Sequence, residues 1–101
     1  MESAEITNRK DTERMANMFR AIANESRLRI LILLMRGEST NVSEIADRIG
    51  LSVSSVSHHM SKLDDLGFVR RERRGKEVYY HLDDYCIRDI IERAEKHVSG
   101  Q

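Results

Sequence analysis

The 101-residue sequence contains no proline, only five glycines and a single cysteine. So little turn punctuation disfavours a helix-poor sandwich and points toward helix. One cysteine builds no internal disulfide framework and no cysteine-rich zinc site. The longest apolar run, Ile30 to Met35, is six residues, far short of the ~20 needed to span a bilayer. The opening residues Met1-Glu2-Ser3-Ala4-Glu5 lack the apolar segment of a targeting signal. A cytoplasmic, reducing compartment and no membrane partner are therefore expected. Net charge is absent too: 17 Lys and Arg balance 17 Asp and Glu. The total gives no general argument for a nucleic-acid partner. What is present is 40% hydrophobic and 34% charged residues, the composition of a soluble globular chain. The length allows one small domain, which buries roughly 60–70% of its unfolded surface and gains core by dimerising.

Residues 1–10 are polar and aperiodic and read as a flexible arm. A single domain is expected over 11–98, with a short tail over 99–101. From Asp11 the pattern is helical, with Met15, Met18, Phe19 and Ile22 on one stripe. A second helix should begin near 24–26. Its body, Leu28 to Met35, is apolar nearly all round, as in the buried centre of a small domain. Gly37 suits a left-handed cap at its end. Asn41-Val42-Ser43-Glu44 has the form of a capping box. It opens a short helix with Val42, Ile45, Ala46 and Ile49 inward. After the turn Gly50-Leu51-Ser52, a fourth helix runs to about Leu66. Val53, Val56, Met60, Leu63 and Leu66 form its apolar face. Phe68 to Arg73 and Glu77 to Leu82 read as strands joined by Arg74-Gly75-Lys76. Asp83 is placed to cap a last helix over about 84–98, with Tyr85, Ile87, Ile90, Ile91, Ala94 and Val98 apolar. The fold class is mainly α with a β-hairpin wing, a winged helix-turn-helix of four helices, two strands and a final helix.

A short helix, a Gly-containing turn and a second helix form the helix-turn-helix. The fourth helix carries Ser54, Ser55, Ser57, His58, Ser61 and Lys62 opposite its apolar face. Small hydroxyl side chains allow close backbone approach and hydrogen-bond to phosphates or base edges, and a helix fits the major groove. His59 lies at the edge of the apolar face and reads as structural. The neutral total charge is unevenly spread. Residues 68–82 hold Arg70, Arg71, Arg73, Arg74 and Lys76 against Glu72 and Glu77, a local +3, whereas residues 83–101 sum to −2. A cationic wing supplies sequence-independent phosphate affinity that falls with salt. A serine-rich face or an arginine run alone is commonly just solvated surface. Together, directly after a helix-turn-helix, they point to double-stranded DNA. The five wing cations also speak against a winged helix that only binds protein. An enzyme is not expected. Ser54 and His58 approach at i, i+4, but no orienting acid, oxyanion hole or Gly-rich phosphate loop accompanies them.

The stretch Leu51-Ser52-Val53-Ser54-Ser55-Val56-Ser57-His58-His59-Met60-Ser61-Lys62-Leu63 resembles the ArsR/SmtB family of winged-helix repressors. So do Leu66-Gly67-Phe68-Val69, the segment Arg73 to Leu82, and, upstream, Phe19 to Leu31. The resemblance covers about residues 15–98. It implies a homodimer formed through the first and last helices. It also implies binding to an imperfect palindrome in operator DNA, with release by an inducer. The family's base-reading positions fall on Ser54, Ser57 and His58. Wing contacts fall among Arg71, Arg73, Arg74 and Lys76.

Some members of that family sense metals. The cysteine-pair site of one group is absent, because Asn41-Val42-Ser43-Glu44-Ile45 holds no cysteine. The last-helix site of another group maps onto Asp84, Cys86, His97 and Gly100. Cysteine replaces one histidine there, and the final ligand is missing. Asp84 and His97 are 13 residues apart, roughly 20 Å along one helix. They can share an ion only if two last helices cross antiparallel in a dimer. Carboxylate, thiolate and imidazole suit zinc or another transition metal ion. The alternatives are a helix cap, a small helical residue and a cation near a helix C-terminus. These leave a metal-independent regulator, responding to redox or a small molecule or to nothing. The lone cysteine has no resolving partner within the chain.

Overall fold

The computed structural model describes residues 8–37 and 41–100. The element order is α1 (Arg9–Ile22), α2 (Glu25–Met35), α3 (Val42–Ile49), α4 (Val53–Asp65), β1 (Val69–Arg74), β2 (Glu77–Leu82) and α5 (Tyr85–Val98). It is the winged helix-turn-helix expected from the sequence.

Each helix starts where a short polar side chain replaces a missing intrahelical acceptor. The side chains of Asn8, Asn24, Asn41, Ser52 and Asp84 accept from the backbone N–H three residues on. Two of these caps correct the sequence reading. Asn8 starts α1 at Arg9 rather than Asp11, so Arg9 and Lys10 belong to the helix and not to the arm. The rest of the arm, residues 1–7, lies outside the described residues, as does Gln101. Asp84, not Asp83, caps α5, with its Oδ1 3.1 Å from Ile87 N. Asp83 instead pairs with Arg70 at 3.7 Å.

Gly50 makes the helix-turn-helix corner. Its φ of 75° is left-handed, a conformation that other residues adopt only under strain. The N–H groups of Gly50 and Leu51 both donate to Ala46 O. The wing turn is shorter than expected. Arg74 pairs with Glu77, leaving Gly75 and Lys76 as the two central residues. Gly75 has φ 64° and Lys76 is not at positive φ, the sign pattern of a II′ hairpin turn. Asn41 adds an antiparallel bridge to Tyr79, so the start of α3 is tied to the wing.

α2 is the hub, packing on α1, α3, α4 and β2. Its Ile30, Leu31 and Leu34 join Ile45, Val56, Met60, Leu63, Phe68, Tyr80, Ile87 and Ile91 in one core. The apolar stripes of the two outermost helices are only half used. Ile22, Ile87 and Ile91 are buried, but Met15, Phe19, Tyr85 and Val98 are exposed, Tyr85 at 85%. Val53 and Leu66, expected inward on α4, are exposed too. They sit at the two ends of that helix. Leu66 is the C-cap residue rather than part of the helix.

Candidate nucleic-acid interface

The α4 surface divides cleanly. Val56, Met60 and Leu63 are fully buried, while Ser54, Ser57, His58 and Ser61 are exposed. At about 100° per residue, those four polar positions fall within an arc of roughly 100° opposite the core. Lys62 flanks the arc and is exposed; Ser55 flanks it too and is half-buried. The Ser52 hydroxyl is committed to Ser55 N at 3.0 Å as the cap. Ser54 and Ser57 are thus presented on a helix whose start is fixed and whose back is anchored. Arg29 Nη1 reaches Ile49 O at 3.3 Å, tying α2 to the end of α3.

His59 behaves as a structural residue. Arg27 Nε donates to Ala21 O at 2.8 Å, and Arg27 Nη1 lies 3.4 Å from His59 Nδ1. Arginine has no acceptor, so Nδ1 accepts and the ring proton sits on Nε2. Partial burial lowers the His59 pKa below its usual 6.5, with the charges of Arg27, His58 and Lys62 acting the same way. Arg27, in the first turn of α2, thus links the end of α1 to α4.

The hairpin separates the wing cations that the sequence groups together. Side chains alternate across a strand, and the register pairs Val69 with Leu82, Arg71 with Tyr80 and Arg73 with Val78. Val69 and Tyr80 are buried, so Arg71 and Arg73 project from the core-side face beyond the packed region. Arg70 and Arg74 lie on the other face, with Glu72, Tyr79 and His81. There Glu72 Oε1 accepts from Arg74 Nη2 at 2.9 Å and contacts His81 Nε2 at 2.7 Å. The Arg74 guanidinium stands 4.5 Å over the Tyr79 ring, a cation–π distance. The Glu72 pKa is lowered to about 2, first by the Arg74 hydrogen bond and then by His81. Lys76, at the turn, is exposed. Sequence reasoning missed the roles of Glu72, Tyr79 and Arg70, although the two-residue period carries the signal.

The metal-ligand candidates do not meet within one chain. Asp84 is the α5 cap and Cys86 is exposed in its first turn. His97 is exposed in the last turn. Among the described residues no group of three His, Cys, Asp or Glu side chains is placed to hold an ion.

The arsR family of bacterial regulatory proteins matches residues 24–71, from the α2 cap into the first half of β1. A cadmium resistance transcriptional regulatory protein, a CadC homolog of Staphylococcus aureus, is 32% identical over 83 residues. That alignment spans 82% of this chain and 69% of the relative. The chain belongs to the ArsR family. Its fold matches the antimony-specific transcriptional repressor AntR with a TM-score of 0.86 at 23% identity, covering 99% of this chain and 90% of that one. It also matches a homodimeric winged helix-turn-helix DNA-binding domain from Mycobacterium bovis. There the TM-score is 0.77 at 26% identity, covering 94% and 93% of the two chains. This ArsR-family chain is accordingly a winged helix-turn-helix transcriptional regulator, of a class that binds operator DNA rather than performing catalysis.

Proposed function

We propose that the chain is a cytoplasmic, homodimeric repressor that reads a palindromic operator with α4 and grips its backbone with the wing. The observation that carries this reading is the exposed Ser54, Ser57, His58 and Ser61 arc, set opposite a fully buried α4 face. Ser54, Ser57 and His58 read base edges. Ser55, Ser61 and Lys62, with wing residues Arg71, Arg73, Arg74 and Lys76, hold phosphates. The exposed apolar residues of α1 and α5 support the dimer, as does the homodimeric Mycobacterium bovis domain. Two-fold symmetry then sets the two reading helices about 34 Å apart, one DNA turn. No described helix is long and apolar enough to cross a membrane. Gel shifts on the promoter of its own gene, against a random duplex at several salt concentrations, test the reading. A sequence-specific complex is expected; its absence at low salt overturns the proposal.

Release by a transition metal ion such as zinc is the accompanying proposal, motivated by the cadmium-resistance relative. Asp84 and Cys86 of one α5 and His97 of the partner's α5 are the ligand set. The ion would favour one crossing of the two helices. A metal-independent regulator is the second reading, and the Asp84 cap favours it, because that carboxylate already has a partner. Cobalt titration of the purified dimer decides between them. A stoichiometric thiolate band lost in Cys86→Ser and weakened in His97→Ala is expected. A band absent from the wild type, or surviving both changes, removes this site.

A further inference from the structure

A groove separate from the α4 reading face lies between the end of α2, the outer face of the hairpin and the start of α5. Its volume is about 510 Å³, within the ~300–1,000 Å³ range of small-molecule sites. Leu34, Met35 and Leu82 supply apolar lining, and Arg70, Arg74 and Arg88 supply the charged groups, with the His81 imidazole beside them. No carboxylate is among the described lining residues. The three arginines come from two different elements, so the fold and not local sequence gathers them.

We propose that this groove binds a small anion carrying a phosphate or carboxylate group. A guanidinium presents five N–H donors in a planar fork that matches both groups. The assigned contacts leave donors on each arginine. Arg88 uses Nη1 for Met35 O at 3.2 Å, and Arg70 uses Nε for a long 3.7 Å pair with Asp83. Arg74 uses Nη2 for Glu72. Two carboxylates that are not among the described lining residues, Glu72 and Asp83, thus pair with two of the three guanidiniums. They hold the forks in place and demonstrate the ligand chemistry these forks accept. Among the described residues Arg88 has only a neutral carbonyl partner and is the least compensated of the three cations, so it anchors the anion, with Arg70 as its neighbour.

A phosphate on a free metabolite and one in the DNA backbone present the same chemistry, and the test separates them. Full-length DNA-free protein is titrated with inorganic phosphate, then succinate, at constant ionic strength against chloride. Arginine side-chain N–H signals are followed by NMR. Saturable shifts confined to Arg70, Arg74 and Arg88 are expected, with affinity weakened about tenfold or more in Arg88→Gln, the loss of a charged hydrogen bond. Arg70→Gln, which leaves the Met35 carbonyl contact intact, should weaken it as well and decides the matter if Arg88→Gln does not fold. Operator binding by both variants should keep the wild-type salt dependence. Non-saturating shifts spread over all arginines overturn the proposal. So does a salt slope reduced by about one in either variant, which assigns the groove to the DNA backbone.

Discussion

The Glu72 carboxylate accepts a 2.9 Å hydrogen bond from the Arg74 guanidinium, on the hairpin face opposite Arg71 and Arg73. The wing is therefore less cationic than its arginine count suggests. The lowered Glu72 pKa means that its ion-pair stabilisation is present above the usual 4.5 and is lost only as pH falls through about 2. The pair is intact throughout the physiological range. Glu72→Gln should release Arg74 and tighten binding to random duplex more than to operator. The slope of log affinity against log salt should steepen by about 0.9 for one added phosphate contact. Measurement at four salt concentrations checks this; an unchanged slope means Arg74 is already fully engaged.

Arg71 and Arg73 project without a carboxylate on their own face. Arg71→Gln and Arg73→Gln should weaken operator and random DNA alike, each lowering the salt slope by about one. Ser57→Ala and His58→Ala should instead change sequence preference, at about 1–3 kcal/mol for a lost base contact. Binding-site selection from a randomised pool separates the two classes. An unaltered preference in both α4 variants removes that helix as the reader.

The Arg27–His59 contact makes the junction between α2 and α4 sensitive to acid. His59 has a lowered folded pKa, so the folded state favours the neutral ring. The associated stability is fully present above the usual 6.5 and is lost as pH falls below it. Protonation also turns Nδ1 into a donor facing the Arg27 guanidinium. Between pH 7.5 and 5.5 the wild-type Tm should fall by roughly a few degrees more than that of His59→Gln. Thermal melts followed by circular dichroism supply the comparison, and parallel pH profiles would refute it.

Phe19 and Tyr85 leave 49% and 85% of their surface exposed in the single chain. Such aromatic surface on α1 and α5 fits the proposed two-fold interface. Phe19→Glu with Tyr85→Glu should give a folded monomer with at least a hundredfold weaker operator binding, since half of the two-site contact is lost. Light scattering reads the mass and a helical far-ultraviolet spectrum confirms folding. A dimer that persists in the double variant places the interface elsewhere.

The elements and their order were legible in the sequence because the signals that set them are local. Asn24, Asn41 and Ser52 cap the helices they precede, and the Gly50 and Gly75 backbones take the positive φ their turns demand. The exposed polar arc of α4 follows from helical periodicity alone. The exceptions are also physical. Asn8 carries no such signal, because a cap is recognised by the apolar pattern after it, and the stripe of α1 starts only at Met15.

What the tertiary structure decided is which residues share a face. Arg71, Arg73 and Arg74 are one basic run in the sequence. The hairpin register and the burial of Val69 and Tyr80 send Arg74 to the opposite side, against Glu72 and Tyr79. His59 meets Arg27 across 32 residues, and Arg88 lines a groove with Arg70 only because α5 returns to the end of α2. Capping and periodicity act within one turn or one strand, so sequence fixes them. Charge compensation and site assembly depend on which distant side chains packing brings within hydrogen-bond range, and only the folded core determines that.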